Sequence, residues 1–167
     1  MPNTYTGNDN VCLTINKNLN LIRYCDGEVI LDAEGLVRIL TVNATSLNIT
    51  GLTFKNGIED YAGAAIFFYQ TLENSIINAT FINNTLTYNG AGGAIAFYWD
   101  VNNSIITSDF INNTVIYGSG GAIYFNGDLN NVTIGGTYNN NAADGSGGVF
   151  YFNENLNNVT IGGTYNN

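Results

Sequence analysis

The sequence predicts an all-β fold, a parallel β-solenoid of about six coils of roughly 27–29 residues. Three observations predict it: motifs phased at a constant period, short runs of β-forming residues, and glycine and asparagine where the runs stop. Gly92-Gly93-Ala94-Ile95 recurs as Gly120-Gly121-Ala122-Ile123, with looser copies at Gly63-Ala64-Ala65-Ile66 and Gly147-Gly148-Val149-Phe150; the steps are 29, 28 and 27 residues. Phe81-Ile82-Asn83-Asn84 recurs as Phe110-Ile111-Asn112-Asn113, with looser copies starting at Phe54, Tyr138 and Tyr165; these steps are 27, 29, 28 and 27. A third column, Leu72, Val101, Leu129 and Leu156, keeps the same phase. Helical repeats would need long runs of period 3.6, and leucine-rich repeats a dense Leu frame. Short Ile-, Val-, Thr-, Phe- and Tyr-rich runs read instead as stacked strands.

Each element can be justified in order. In Ile123-Tyr124-Phe125 the first and third residues share a face by the period of two. Their equivalents are Ile66/Phe68, Ile95/Phe97 and Phe150/Phe152, placed inside as a stacked column. A longer strand ends inside at Phe54, Phe81, Phe110, Tyr138 and Tyr165. Four residues earlier, Thr50, Ile77, Ile106, Ile134 and Ile161 are expected on the same face. Leu72, Val101, Leu129 and Leu156 open the turn into it. The glycine pair before each Ala-Ile is expected to supply a corner that side chains disfavour. Before residue 56 the pattern is degenerate: 11–15, 18–22, 29–32 and 38–42 read as strands of two irregular first coils. One continuous domain spans 1–167, irregular over 1–45 and regular over 46–167.

Composition excludes several functions. The chain has 167 residues, no His, 4 Lys+Arg against 13 Asp+Glu, and a net charge of −9. Without His there is no Ser-His-Asp or Cys-His catalysis and no imidazole metal ligand. The bases are Lys17, Arg23, Arg38 and Lys55, all before residue 56, where eight acids follow without a base. Nucleic acid and anionic membranes are therefore not expected partners. No run approaches the 18 apolar residues of a membrane helix, so no membrane insertion is expected in this segment. Met1–Thr6 lacks a signal peptide's basic head and apolar stretch. The sequence stops partway through a repeat, which reads as a piece excised from a longer exported protein rather than an intracellular chain.

The paired Gly-Gly-Ala-Ile and Phe-x-x-Asn motifs at 92–95 with 81–84, and at 120–123 with 110–113, resemble the repeats of chlamydial polymorphic outer-membrane proteins. The Asn/Thr-rich style, as in Leu47–Gly57, is more similar to the adhesin-like proteins of methanogenic archaea. The likeness covers about residues 11–167 and implies a right-handed, single-stranded parallel β-helix. It also implies an extracellular, cell-surface protein with a role in attachment to surface glycans or proteins of partner cells. Ala64 in place of the second glycine, and Gly147-Gly148-Val149-Phe150, depart from the pattern.

The rival reading is a carbohydrate-active enzyme fragment, a polysaccharide lyase or hydrolase. Such sites need clustered carboxylates, often with Lys or Arg. Asp100 and Asp128 are phase-equivalent and one coil apart, which makes them the best such pair, yet Asp-Asn turn chemistry explains both. No catalytic residue, cofactor or metal site is assigned, because calcium on loop carboxylates has no EF-hand pattern behind it. The expected contact face is Tyr69, Tyr98, Trp99, Tyr124 and Tyr151, outward on the strands with Phe67 and Ala96. Exposed aromatics suit stacking on sugar rings or docking on a partner; equally, they are ordinary strand formers on a pleated surface. Thr53, Thr80, Asp109, Thr137 and Thr164 form a further outward column like an ice-binding array, but Asp109 interrupts it. Cys12 and Cys25 either form a disulfide, worth up to roughly 3 kcal/mol by loop entropy, or remain two buried thiols. Asn columns at the corners are expected to bond to their own copies above and below. Among the eight Asn-x-Ser/Thr sequons, Asn78 is the glycosylation candidate, outward and mid-strand. The unpaired edges of the terminal coils predict end-to-end self-association.

Overall fold

The computed structural model describes residues 3–7, 9–24 and 26–166. Among them there is no helix, and hence none long and apolar enough to cross a membrane. The chain winds through β1 (Asn3–Tyr5), then β2 (Leu13–Ile15), β3 (Leu19–Ile22) and β4 (Val29–Asp32). The second coil holds β5 (Leu40–Val42), β6 (Leu47–Lys55) and β7 (Ile58–Glu59); the third holds β8 (Ile66–Phe68), β9 (Leu72–Glu73), β10 (Ile76–Ile82) and β11 (Thr85–Leu86). The fourth repeats that layout with β12 (Ile95–Phe97), β13 (Val101–Asn102), β14 (Ile105–Ile111) and β15 (Thr114–Val115). The last two contain β16 (Ile123–Phe125), β17 (Leu129–Asn139) and β18 (Ala142–Ala143), then β19 (Phe150–Phe152), β20 (Leu156–Ile161) and β21 (Thr164–Asn166).

Among the described residues, strands pair only in parallel with their counterparts one coil away, giving a β-solenoid of about six turns. One sheet runs β2-β5-β8-β12-β16-β19 and a second β7-β11-β15-β18; the third and largest has β4-β6-β10-β14-β17 as its spine. The registers match the sequence period: Phe81 faces Phe54 and Phe110, Phe110 faces Tyr138, and Ile95 faces Ile66 and Ile123.

Stacking identical side chains makes the core. Phe54, Phe81, Phe110 and Tyr138 are fully buried, with ring centroids 5.2, 4.9 and 5.5 Å apart and near-parallel planes. Phe68, Phe97, Phe125 and Phe152 form a second column at 4.7, 5.0 and 5.2 Å. The spacing is set by the strand separation of about 4.8 Å, which brings rings into stacking contact.

The corners follow equally physical rules. Asn56, Asn83, Asn112 and Asn140 adopt φ of 54, 53, 54 and 52°, and Asn74, Asn103, Asn131 and Asn158 adopt 49–56°. This left-handed region is one that Asn tolerates better than most residues. The glycine pair works as expected but with two different causes. Gly92 and Gly120 have φ of +77 and +71°. Their partners Gly93 and Gly121 are needed for space, since a Cβ on Gly121 would overlap the carbonyl oxygen of Gly148 in the next coil.

One inward assignment changes. Ile77 pairs with Ile49, not Thr50, and the register shifts between Asn78 and Thr80. Gly51, at φ +73°, belongs to a bulge that carries one extra residue. Ile49 is therefore buried and Thr50 faces solvent. In the last coil, Leu156, Ile161 and Tyr165 keep their register but are 44, 41 and 48% exposed, with no rung covering them.

Tyr138 also carries a pH dependence. Its hydroxyl donates to the Gly135 carbonyl at 2.8 Å. Burial holds its phenol well above the usual range, with Tyr165 and Asp109 adding to the shift. A raised native value stabilises the fold fully below the unfolded phenol's value near 10, and that contribution is lost as pH climbs beyond it. The denaturation midpoint should fall steeply above about pH 10. Tyr138→Phe should flatten that part of the profile, which denaturant titrations between neutral and alkaline pH would measure.

Candidate functional site

The expected aromatic face divides into two. Tyr69 and Tyr98 stack at 5.7 Å and 8°, and Trp99 packs edge-on against Tyr98 at 5.4 Å. All three lie open, 51, 45 and 53% exposed. Tyr124 and Tyr151 form a separate pair, stacked with parallel planes at 5.3 Å, and both are half-buried. Burial pushes the Tyr124 phenol up, and Tyr151 adds to it. The reason for the division is register: Phe67, Ala96, Tyr124 and Tyr151 form one outward column, and Tyr69 and Tyr98 lie two residues further along. Ala96, expected outward and open, is only 2% exposed. It lies among larger neighbours, including Phe67, Tyr98 and Tyr124.

Arg38, Glu59 and Tyr61 were not singled out by sequence reasoning, yet they flank this face. The Arg38 guanidinium donates to the carbonyls of Gly63 at 3.0 Å and Ala62 at 2.8 Å, and to the Thr41 hydroxyl at 3.3 Å. It pairs with Glu59 at 3.4 Å and lies 5.2 Å from the centre of the Phe67 ring. Burial pulls its pKa down, opposed by the Glu59 carboxylate and more weakly by Cys12. Arg38 thus pins the 59–63 turn against β8 and has little left for an anion.

Asp100 and Asp128 sit one rung apart, as the phase requires. The Oδ1 of Asp100 accepts from the Asp128 backbone N–H at 2.9 Å, and the Oδ1 of Asp128 accepts from the N–H of Asn155 at 2.9 Å and its amide at 3.0 Å. Each carboxylate is thus a turn acceptor for the coil above. Among the described residues no group of three or more Asp, Glu, Cys or His side chains is placed to hold a metal ion. Thr53 is buried and donates to Glu28, while Thr137 donates to Asp109, so the threonine column is not a uniform open array.

The Asn columns form ladders. The buried ladder runs through Asn84, Asn113 and Asn141, each amide bonding to the next at 2.9 Å. Outer ladders join Asn102, Asn130 and Asn157, and Asn103, Asn131 and Asn158. Asn131 and Asn158 are therefore engaged sequons. Asn78 is exposed on the outward face of β10. Cys12 is exposed at φ +58°, which does not match a buried thiol; Cys25 lies outside the described residues.

Comparison of the chain with family models, curated proteins and solved structures gives no match.

Proposed function

We propose that this chain is a non-enzymatic, adhesin-like segment of a cell-surface protein: a stiff β-solenoid that presents aromatic contact surfaces to glycans or proteins of partner cells. The observation that carries this reading is the open Tyr69–Tyr98–Trp99 strip. Tyr98 packs against both Tyr69 and Trp99, and the three rings stay 45–53% exposed; contiguous exposed apolar patches mark contact sites. The stacked coils make a rod, and repetition along a rod multiplies weak contacts. The resemblance of the repeats to those of surface adhesins points the same way and supports an extracellular location. A glycan array tests it. Wild-type protein should bind a subset of sugars, and Tyr98→Ala/Trp99→Ala should weaken that binding about tenfold or more. Absence of binding would leave a structural spacer. Release of reducing ends from polysaccharides, abolished by Asp128→Asn, would support the enzyme instead.

A second partner is another copy. The last rung exposes Leu156, Ile161 and Tyr165. At the opposite end a hollow of about 310 Å³ is lined by Leu13, Leu21, Val29 and Leu31, among others. The 167-residue chain in isolation should stack head to tail, a contact that does not close on itself. Sedimentation velocity should show concentration-dependent growth, reduced by Ile161→Lys; a monomer at all concentrations would contradict it.

A further inference from the structure

A hollow of about 390 Å³ lies beside the aromatic strip, with Phe67, Tyr98 and Tyr124 on one side. Two turns of successive coils, joined by a parallel β-bridge between Ala62 and Ala91, contribute Tyr61 and two methyl groups. Ala96 supplies a third methyl, and at 2% exposure it lies deep rather than at the rim. The origin of this space is a break in a ladder. The outward column runs Thr14–Thr41–Phe67–Ala96–Tyr124–Tyr151, and Ala96 is the rung without a ring between two that carry one. Phe67 and Tyr124 are two rungs apart, about 10 Å given strands about 4.8 Å apart; Tyr98, edge-on to Phe67 at 6.2 Å, leans over part of that interval and covers the Ala96 methyl, and the hollow opens beside it. The volume is at the lower end of the range of about 300–1,000 Å³ for ligand sites, which fits one ring rather than a chain.

The lining selects the occupant. The deep part offers aromatic faces and alanine methyls, where an unpaired hydroxyl would be costly to bury. Polar groups are at hand: the Glu59 carboxylate, the Asn126 amide and tyrosine hydroxyls. Asn126 is held at both ends, its Oδ1 accepting from the Tyr124 hydroxyl at 3.2 Å and its Nδ2 donating to the Tyr98 carbonyl at 3.0 Å, which orients the amide and leaves one N–H for a ligand. An acidic ligand is disfavoured, because Arg38 is spent on Glu59 and backbone carbonyls and the surrounding charge is negative.

We propose that this hollow is a subsite for a single neutral sugar residue bearing a methyl-terminated substituent. The ring stacks on Phe67 or Tyr124, its methyl group enters among Ala62, Ala91 and Ala96, and its hydroxyls meet Glu59 and Asn126. An N-acetylhexosamine and a 6-deoxyhexose share this chemistry. The inference rests on the glycan-contact reading above and narrows it.

Titration of the full chain with N-acetylglucosamine, L-fucose and glucose, followed by ligand-observed NMR, tests it. One or both methyl-bearing sugars should bind about tenfold or more tighter than glucose, and which of the two does so identifies the substituent. Ala96→Phe, which restores the missing rung, should abolish that preference. Tyr61→Ala should weaken it without touching the core, since Tyr61 is 66% exposed; this variant decides the matter if Ala96→Phe does not fold. Equal affinity for the three sugars, or an unchanged preference in Tyr61→Ala and a folded Ala96→Phe, overturns the subsite. If array binding is lost in Tyr98→Ala/Trp99→Ala but kept in Ala96→Phe, the open strip stands and the hollow falls. No sugar binding by the wild type overturns both.

Discussion

Phe110→Ala is expected to lower stability by about 3–5 kcal/mol, the usual cost of emptying a buried phenylalanine site. The site is an unfavourable one to empty. Phe110 is fully buried and stacks on Phe81 at 4.9 Å below and Tyr138 at 5.5 Å above. Its backbone is fixed in β14 by ladder bonds to two neighbouring strands, β10 and β17, so collapse around the void is limited. Two stacking pairs are lost besides the burial, each worth about 0.5–1.5 kcal/mol. For a chain of this size the thermal midpoint should fall by roughly 10 °C. The loss should not spread evenly. A solenoid is held by nearest-neighbour interfaces, and Phe110 sits at the boundary between the third, fourth and fifth coils. Hydrogen exchange should therefore quicken first in β17, β20 and β21, while β6 and β10 remain protected. Phe110→Leu should recover more than half of the loss. A uniform small shift, under about 1 kcal/mol, would show that the column is not the source of cohesion.

The architecture was legible because stacking turns sequence period into spatial adjacency. Phe81 meets Phe110 for the same reason that 29 residues separate them. The corner asparagines were legible too, since few residues accept φ near +50°. What escaped was whatever breaks the period. Gly51 adds one residue to β6, so counting back four from Phe54 gives Thr50 where the fold uses Ile49. No composition signal separates such an insertion from a register error; only the pairing of both neighbours does. The contact face was half legible. Alternation identified Tyr69, Tyr98, Tyr124 and Tyr151 as outward, but alternation is blind to what leans over an outward residue. Ala96 was therefore read as surface. The sequence did contain a usable sign, an alanine set between Phe67 and Tyr124 in their shared column. The role of Arg38 had no such sign, because it depends on carbonyls of a turn 24 and 25 residues away.

Asn113→Ala should approach Phe110→Ala in cost, although it removes a small polar side chain. Asn113 is fully buried in the centre of the inner ladder. Its Oδ1 accepts from the backbone N–H of Asn84 at 3.1 Å and from the Asn84 amide at 2.9 Å. Its amide donates to the Phe81 carbonyl at 3.0 Å and to Asn141 at 2.9 Å. Among the described residues no buried side-chain polar atom lacks a partner. Alanine breaks that condition on both sides at once: the Asn84 backbone N–H and the Phe81 carbonyl lose this partner, and the Asn84 amide keeps only the Phe54 carbonyl at 3.2 Å, in a place water does not reach. Each costs about 1–3 kcal/mol when stranded, and the groups share partners, so the sum is expected near 3–4 kcal/mol. Two comparisons separate this from simple loss of volume. Asn113→Asp keeps the acceptor for Asn84 but sets a carboxyl against the Phe81 carbonyl and the Asn141 oxygen. It should be destabilised at neutral pH and partly restored in acid, where the protonated group donates again. Asn130→Ala removes an equivalent pair of ladder bonds, to Asn102 and Asn157 at 2.9 and 3.0 Å, on a water-accessible corner. It should cost under about 1 kcal/mol, because water replaces the lost partners. Equal losses for Asn113→Ala and Asn130→Ala in urea titrations would mean that burial does not set the worth of the inner ladder.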